Sequence, residues 1–365
     1  MASLDRIEVA GYKSIEKLDL ELAQLNVLIG ANGAGKSNFV SLFGLLNDLY
    51  EKRLQVHVAR AGGADALLHF GQKHTQEISI SLHFGRNGYE ARLAPAATGG
   101  LFLAKESCWY TGFQLTSKYT VPLASGTMES GLAEEASSTK GRIAQHVEAS
   151  LRSWKVYHFH DTSTSARMKQ PCDLGDNSFL RPDGANLAAF LYLLERTHPR
   201  EFQQIVAAIQ MVAPFFEGFQ LRPDPLNPQK IQLEWRERGS DIYFNAYALS
   251  DGTLRFIALA TLLLQPRPPT TVVIDEPELG LHPYAIVLLT SLFRSAAQRS
   301  QIILSTQSVT LVNQLRPEDV IVVDRTGSAS TFRRPSEAEI NSWLEGYSLG
   351  ELWEKNVIGG RPSRP

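Results

Sequence analysis

Asn26-Val27-Leu28-Ile29-Gly30-Ala31-Asn32-Gly33-Ala34-Gly35-Lys36-Ser37 decides how this chain is read. A short apolar run ending in glycine reads as a buried parallel strand. After Ser37 the apolar residues take helical spacing, through Phe39, Val40, Leu42, Phe43, Leu45, Leu46 and Leu49. Strand, glycine-rich turn and helix together match G-x-x-x-x-G-K-[ST] in its required context. Each residue type has its own reason. Gly30, Gly33 and Gly35, with Asn32 and Ala34 between them, let backbone N–H groups turn inward on phosphate oxygens. The helix N-terminus adds its dipole. Lys36 supplies a cation between the β- and γ-phosphates, and the Ser37 hydroxyl is a hard oxygen ligand for Mg²⁺. The expected ligand is ATP with Mg²⁺.

Outward from this loop, a second acidic element appears late in the chain. Val272-Val273-Ile274-Asp275-Glu276 is an apolar strand ending in two carboxylates. In an open α/β sheet the ligand sits beyond the carboxyl ends of the strands. Asp275 is then placed for the Mg²⁺ shell and Glu276 for polarising the attacking water as general base. Leu249-Ser250-Asp251-Gly252-Thr253 precedes an apolar helix and, taken alone, reads as a serine N-cap.

Composition bounds the rest. A chain of 365 residues, 43% of them hydrophobic, suits a nucleotide-binding head with one inserted subdomain. A formal net charge of −2 gives bulk charge no role in nucleic-acid binding, though a local basic patch is compatible with it. Cys108 and Cys172 form no C-x-x-C pair and fit a reducing cytoplasm. The first residues carry acids and no apolar signal-peptide core. Phe256 to Leu264, the longest apolar stretch, falls far short of a membrane span. The expected location is the cytoplasm, with no membrane partner.

The periodicity predicts alternating strands early, at Leu4–Val9, Leu18–Leu22 and Ile78–Phe84, and βαβα order after Leu254. The expected fold class is α/β: a mostly parallel sheet, an antiparallel β subdomain and an inserted helical lobe. The expected boundaries are 1–84 for the first part of the head, 85–245 for the inserted lobe, 246–335 for the rest of the head and 336–365 for a tail. Residues 123–142 are small and polar and read as a solvated loop.

The combination resembles the RecF/SMC-like branch of ABC ATPases, and more closely its compact bacterial ATPases. The matching residues are Gly11-Tyr12-Lys13-Ser14, Asn26, the phosphate loop with Asn38, Leu249 to Thr253, Asp275-Glu276-Pro277-Glu278 with Leu281-His282-Pro283, and Ser305-Thr306. Tyr157 to Ser163 and Asp183 to Leu187 match less specifically. The resemblance implies that Lys13 and Ser14 join the nucleotide site. It implies too that Ser250 and Gly252 cap the γ-phosphate held by a second protomer. Two composite sites in one ATP-bridged homodimer follow. Its context points to a separately encoded effector docking on residues 85–245, with DNA a candidate partner, in DNA maintenance or defence against phage. A slow nucleotide-sensing scaffold that holds a toxin or nuclease is the alternative. A membrane-transport subunit fits less well with Gly11-Tyr12-Lys13-Ser14.

Three places depart from the family's pattern. Gln307 stands where a switch histidine is usual, and glutamine cannot carry a proton as His⁺ does. No long coiled coil is present. The Mg²⁺-sensing glutamine is not obvious, and Gln72 is the candidate. His158, His160 and Asp161 form a further polar group. Strand spacing puts both histidines on one face. A metal there needs more ligands, with Cys172 a candidate; a hydrogen-bonded polar surface is the simpler reading.

Overall fold

In this computed structural model, residues 3–112, 118–139, 141–336, 340, 343 and 346–360 are described. Two six-stranded sheets enclose the helix Lys36–Tyr50. The first is largely parallel, with Leu25–Ile29 and Gln301–Thr306 at its centre. Thr271–Asp275 and Trp154–Tyr157 follow on one side. Val320–Thr326 and the antiparallel Ala329–Arg333 lie on the other. All five residues of Leu25–Ile29 are buried, as a central strand covered on both faces requires.

The period of two assigns each face. Leu28, Val273, Ile303 and Ile321 pack toward the helix Lys36–Tyr50 and the second sheet. Val27, Ile29, Val272, Ile274, Ile302 and Leu304 pack against the helices Leu187–Thr197, Pro199–Val212, Asp251–Leu264 and Pro283–Ala296. Asp251–Leu264 is buried on every side from Leu254 to Leu263. That makes it a core helix rather than an amphipathic surface one.

The second sheet is antiparallel, in the order Ile15–Glu21, Arg6–Tyr12, Ile78–Phe84, Asn87–Pro95, Leu101–Tyr110, Tyr119–Ala124. Ile78–Phe84 alternates buried and half-buried residues without a break. The expected limit at residue 84 therefore falls inside a hairpin whose partners run from Ile78↔Leu93 to Phe84↔Asn87. Trp154–Tyr157 is likewise inside the range expected for the lobe, yet pairs in parallel with Thr271–Asp275. Phe216–Phe219, Glu234–Glu237 and Tyr243–Asn245, and the pair Cys172–Asp173 with Lys230–Ile231, form two small sheets of their own, yet Phe216, Ile231 and Trp235 pack into the same core as the parallel sheet.

The polar stretch 123–142 also differs from a plain loop. The strand runs to Ala124, a short helix spans Leu132–Ala136, and another begins at Arg142. Lys140 lies outside the described residues. Buried Glu106 orders this segment by accepting from Ser130 Oγ at 2.5 Å and Gly131 N at 2.8 Å. In the tail, Leu349–Glu354 is helical, and Gly350 N donates to Asn313 Oδ1 at 2.7 Å. Among the described residues no helix is long and apolar enough to cross a membrane.

Candidate nucleotide site

The carboxyl ends of the parallel strands open on a cleft of about 230 Å³. One wall is Asn32, Gly33, Gly35, Lys36, Ser37 and Asn38; the other is Glu276 and Gln307, with Arg325 at the rim. Gly35 explains why this loop cannot carry a side chain there. Its φ is +116°, and a Cβ would overlap Ser330 Oγ. The space beside Gly33 is open, so the loop presents bare backbone to the cleft.

Lys36 is buried, and its Nζ donates to Gly30 O at 2.7 Å and Ala31 O at 3.1 Å. Burial pulls its pKa below the usual lysine value, and Glu276, Asp275 and Glu278 work against that fall. The ammonium thus lies within the field of three carboxylates, where anionic oxygens and a divalent cation belong together.

Asp275 ends its strand and accepts from Ser305 Oγ. Glu276 follows with φ +41°, a left-handed backbone rare for glutamate, and its N–H donates to Ser305 O at 3.0 Å. Such strain collects at functional sites. Gln307 Nε2 donates to a Glu276 carboxylate oxygen, so the candidate base and the residue in the switch position touch. Ser37 supplies a hydroxyl and Asp275 a carboxylate, both hard oxygen donors of the kind Mg²⁺ takes. These residues fit a magnesium-bound triphosphate. When bound, the ion would draw charge off the phosphates.

Lys13 and Ser14 stand behind the loop instead of lining the cleft. Lys13, at φ +47°, donates through Nζ to Ser41 Oγ at 2.9 Å. Ser14 Oγ accepts from Asn38 Nδ2 and from Ser330 Oγ, both at 2.7 Å. Ser330 Oγ also lies 2.5 Å from Ala34 O. Ser14 and Ser330 thereby clamp the loop from two ends of the sequence. Gln72 is exposed and held by a bond from its own N–H to Asp65 Oδ1 at 2.7 Å; it does not line the cleft.

Ser250 caps the helix Asp251–Leu264 by accepting from Thr253 N at 3.2 Å. It is exposed and does not line the cleft of its own chain. Gly252 abuts Gly280 O, where a Cβ would collide, so the signature turn and the segment after Glu278 share one rim.

Motif reading does not single out Arg325, Ser330, Glu278 in a role of its own, or Arg255. Arg325 Nη1 donates to Gly33 O at 3.1 Å. Arg255 is buried and donates to Phe159 O at 3.0 Å and His160 O at 2.9 Å. His160 Nε2 lies 2.7 Å from Asp275 O. The strand ends at Tyr157, so His158 and His160 follow in coil and are not fixed on one strand face. Cys172 Sγ is turned to Ile231 O, 3.6 Å away. Among the described residues no three His, Cys, Asp or Glu side chains are grouped to hold a metal. Within this polar group His160 bridges the helix Asp251–Leu264 and the Asp275 strand end, while His158 N donates to Pro182 O and Asp161 accepts from Ser163.

A family described as "AAA domain, putative AbiEii toxin, Type IV TA system" matches residues 135–313. A protein family of unknown function, DUF2813, matches residues 2–84. No curated protein sequence matches the chain. Among solved structures, an Smc head bound to the C-terminal winged-helix domain of ScpA superposes with a TM-score of 0.59 at 15% identity, covering 94% of this chain and 99% of that one. An Smc head with an extended coiled coil, bound to the C-terminal domain of ScpA derived from Pyrococcus furiosus, gives 0.58 at 14%, with the same coverage. A head with coiled coil and joint from Pyrococcus yayanosii gives 0.52 at 13%, again over 94% and 99%. These likenesses establish a shared fold. The chain thus has the fold of the SMC ATPase heads, and its residues 135–313 match an AAA domain.

Proposed function

We propose that the chain binds ATP and Mg²⁺ between two copies of itself and hydrolyses ATP to gate a separately encoded effector. The observation that carries this reading is the division of the site. Lys36, Ser37 and Glu276 line one cleft, with Asp275 next to Glu276 and within the field of Lys36, while Ser250, at a helix N-terminus, is exposed and does not line it. A serine and a helix N-terminus suit an anion, and a second protomer's γ-phosphate is such an anion. Leu279 and Tyr284, 41% and 53% exposed, lie beside that rim and supply apolar surface for a second copy. Glu276 acts as general base on water, and Lys36 and the loop amides hold the phosphates. The cytoplasm is the proposed location.

A slow-turnover sensor that holds a toxin or nuclease is the second reading, and Gln307 favours it. Its side chain occupies the Glu276 carboxylate and cannot relay a proton. The matched family's description, with its toxin–antitoxin reference, and the ScpA-bound heads both support a partner protein. DNA maintenance and phage defence are the proposed contexts. Steady-state hydrolysis with and without DNA, alongside light scattering with ATP, tests the reading. Mg²⁺-dependent turnover and an ATP-dependent dimer are expected. A monomer at saturating ATP would overturn the shared site, and ATP binding with no turnover would favour the sensor.

A further inference from the structure

Resting on that reading, we infer that Glu278 is a positioning residue: it latches the Gln307 segment to the Asp275 strand end and so sets where Gln307 meets Glu276. The residue is buried, 7% exposed. One oxygen, Oε1, accepts from Thr306 Oγ1 at 2.6 Å and from Gln307 N at 3.0 Å. The other, Oε2, is buried without a hydrogen-bond partner. A buried carboxyl with an unmatched oxygen is costly, so its presence in the core asks for a reason beyond packing.

The geometry supplies the reason. Glu276 and Glu278 leave the strand that ends at Asp275, and Gln307 leaves the neighbouring strand, whose last residue Thr306 pairs with Ile29 on its other side. The strands are joined at Asp275↔Ser305, after which the ladder stops. Beyond that point the two chain segments are held by Glu276 N to Ser305 O and by the two bonds to Glu278. Thr306 Oγ1 also accepts from Ser308 N at 3.0 Å, which sets the turn leading out of Gln307. Glu278 therefore fixes the backbone from which the Gln307 side chain reaches Glu276. It does not line the cleft; beyond the field it adds at Lys36, it acts through Gln307. Burial raises its pKa above the usual glutamate value. The latch needs only an acceptor at Oε1, which glutamine also provides.

A double-mutant cycle on the full chain separates this role from packing alone. Glu278→Leu should lower kcat by on the order of 10- to 100-fold, the cost of misplacing a catalytic group by about 1 Å. ATP affinity measured by calorimetry should stay near wild type. Glu278→Gln should restore most of the rate. In a Gln307→Ala background, Glu278→Leu should cost little more, because its effect passes through Gln307. If Glu278→Leu does not fold, Thr306→Val removes one latch bond and should show the same non-additivity with Gln307→Ala. Lys36→Ala is the control for the functional reading: turnover that survives it refutes that reading. Turnover that depends on Lys36, together with wild-type kcat in the latch variants or additive losses in the cycle, refutes the latch alone.

Discussion

Lys36, buried and bonded to Gly30 O and Ala31 O, shows how one side chain serves two tasks. It closes the loop on itself and offers its remaining hydrogen to the cleft. Lys36→Ala removes the cation from a desolvated site and should weaken ATP binding by about 2–5 kcal/mol, as for a truncated buried charge pair. Calorimetry giving wild-type affinity would remove the phosphate-loop assignment. Gly35→Ala probes the loop without touching charge. A side chain at φ +116° that overlaps Ser330 should cost about 1–3 kcal/mol of stability, read from urea midpoints. An unchanged midpoint would show that Ser330 does not clamp the loop. Glu276→Gln keeps the shape of the base and removes its basicity. Hydrolysis should fall by about 10²-fold or more while ATP binding persists. Single-turnover rates equal to wild type would assign the base elsewhere.

Elements carry the connections that single residues do not reveal. Arg255, one turn into the signature helix, donates to Phe159 O and His160 O, and His160 reaches Asp275 O. The helix that would meet a second protomer is thus tied to the strand end of its own nucleotide site. Arg255→Met should cost about 1.5–3 kcal/mol, the scale for hydrogen bonds made by a charged group. Denaturant unfolding with an unchanged midpoint would remove the bridge. These ties also mark what the sequence could and could not tell. The phosphate loop and the Asp275–Glu276 strand end are local patterns, so spacing and hydrophobicity were enough to find them. The bonds from Ser330 to Ser14 and from Arg255 to His160 join distant segments, and one sequence holds no record of such contacts. Trp154–Tyr157 is only four residues long, too short for a strand period to stand out, so its place in the parallel sheet was hidden. Gln72 followed family pattern rather than physical constraint, and its side chain is exposed away from the cleft.

At the scale of the molecule, the signature turn and the phosphate cleft of one chain do not meet. Ser250 is exposed, and the cleft is lined without it. A closed dimer with two-fold symmetry would bring each signature to the other chain's cleft and make both sites at once. Ser250→Arg should then leave ATP binding intact and stop hydrolysis, because the arginine lies at the neighbour's phosphate and not at its own. Lys36→Ala should stop hydrolysis for the opposite reason. Mixed together, the two inactive proteins form heterodimers in which one site carries both lesions and the other carries neither. Half of the dimers at equal, random mixing are of this kind, and one of their two sites works. Turnover should therefore recover to about a quarter of wild type per protomer. The recovery should vary with mixing ratio as heterodimer abundance does. Sites contained within one chain predict no recovery at any ratio, since every protomer would carry its own lesion. Absence of activity with heterodimers demonstrated by differential tagging would therefore place both halves of the site in a single chain.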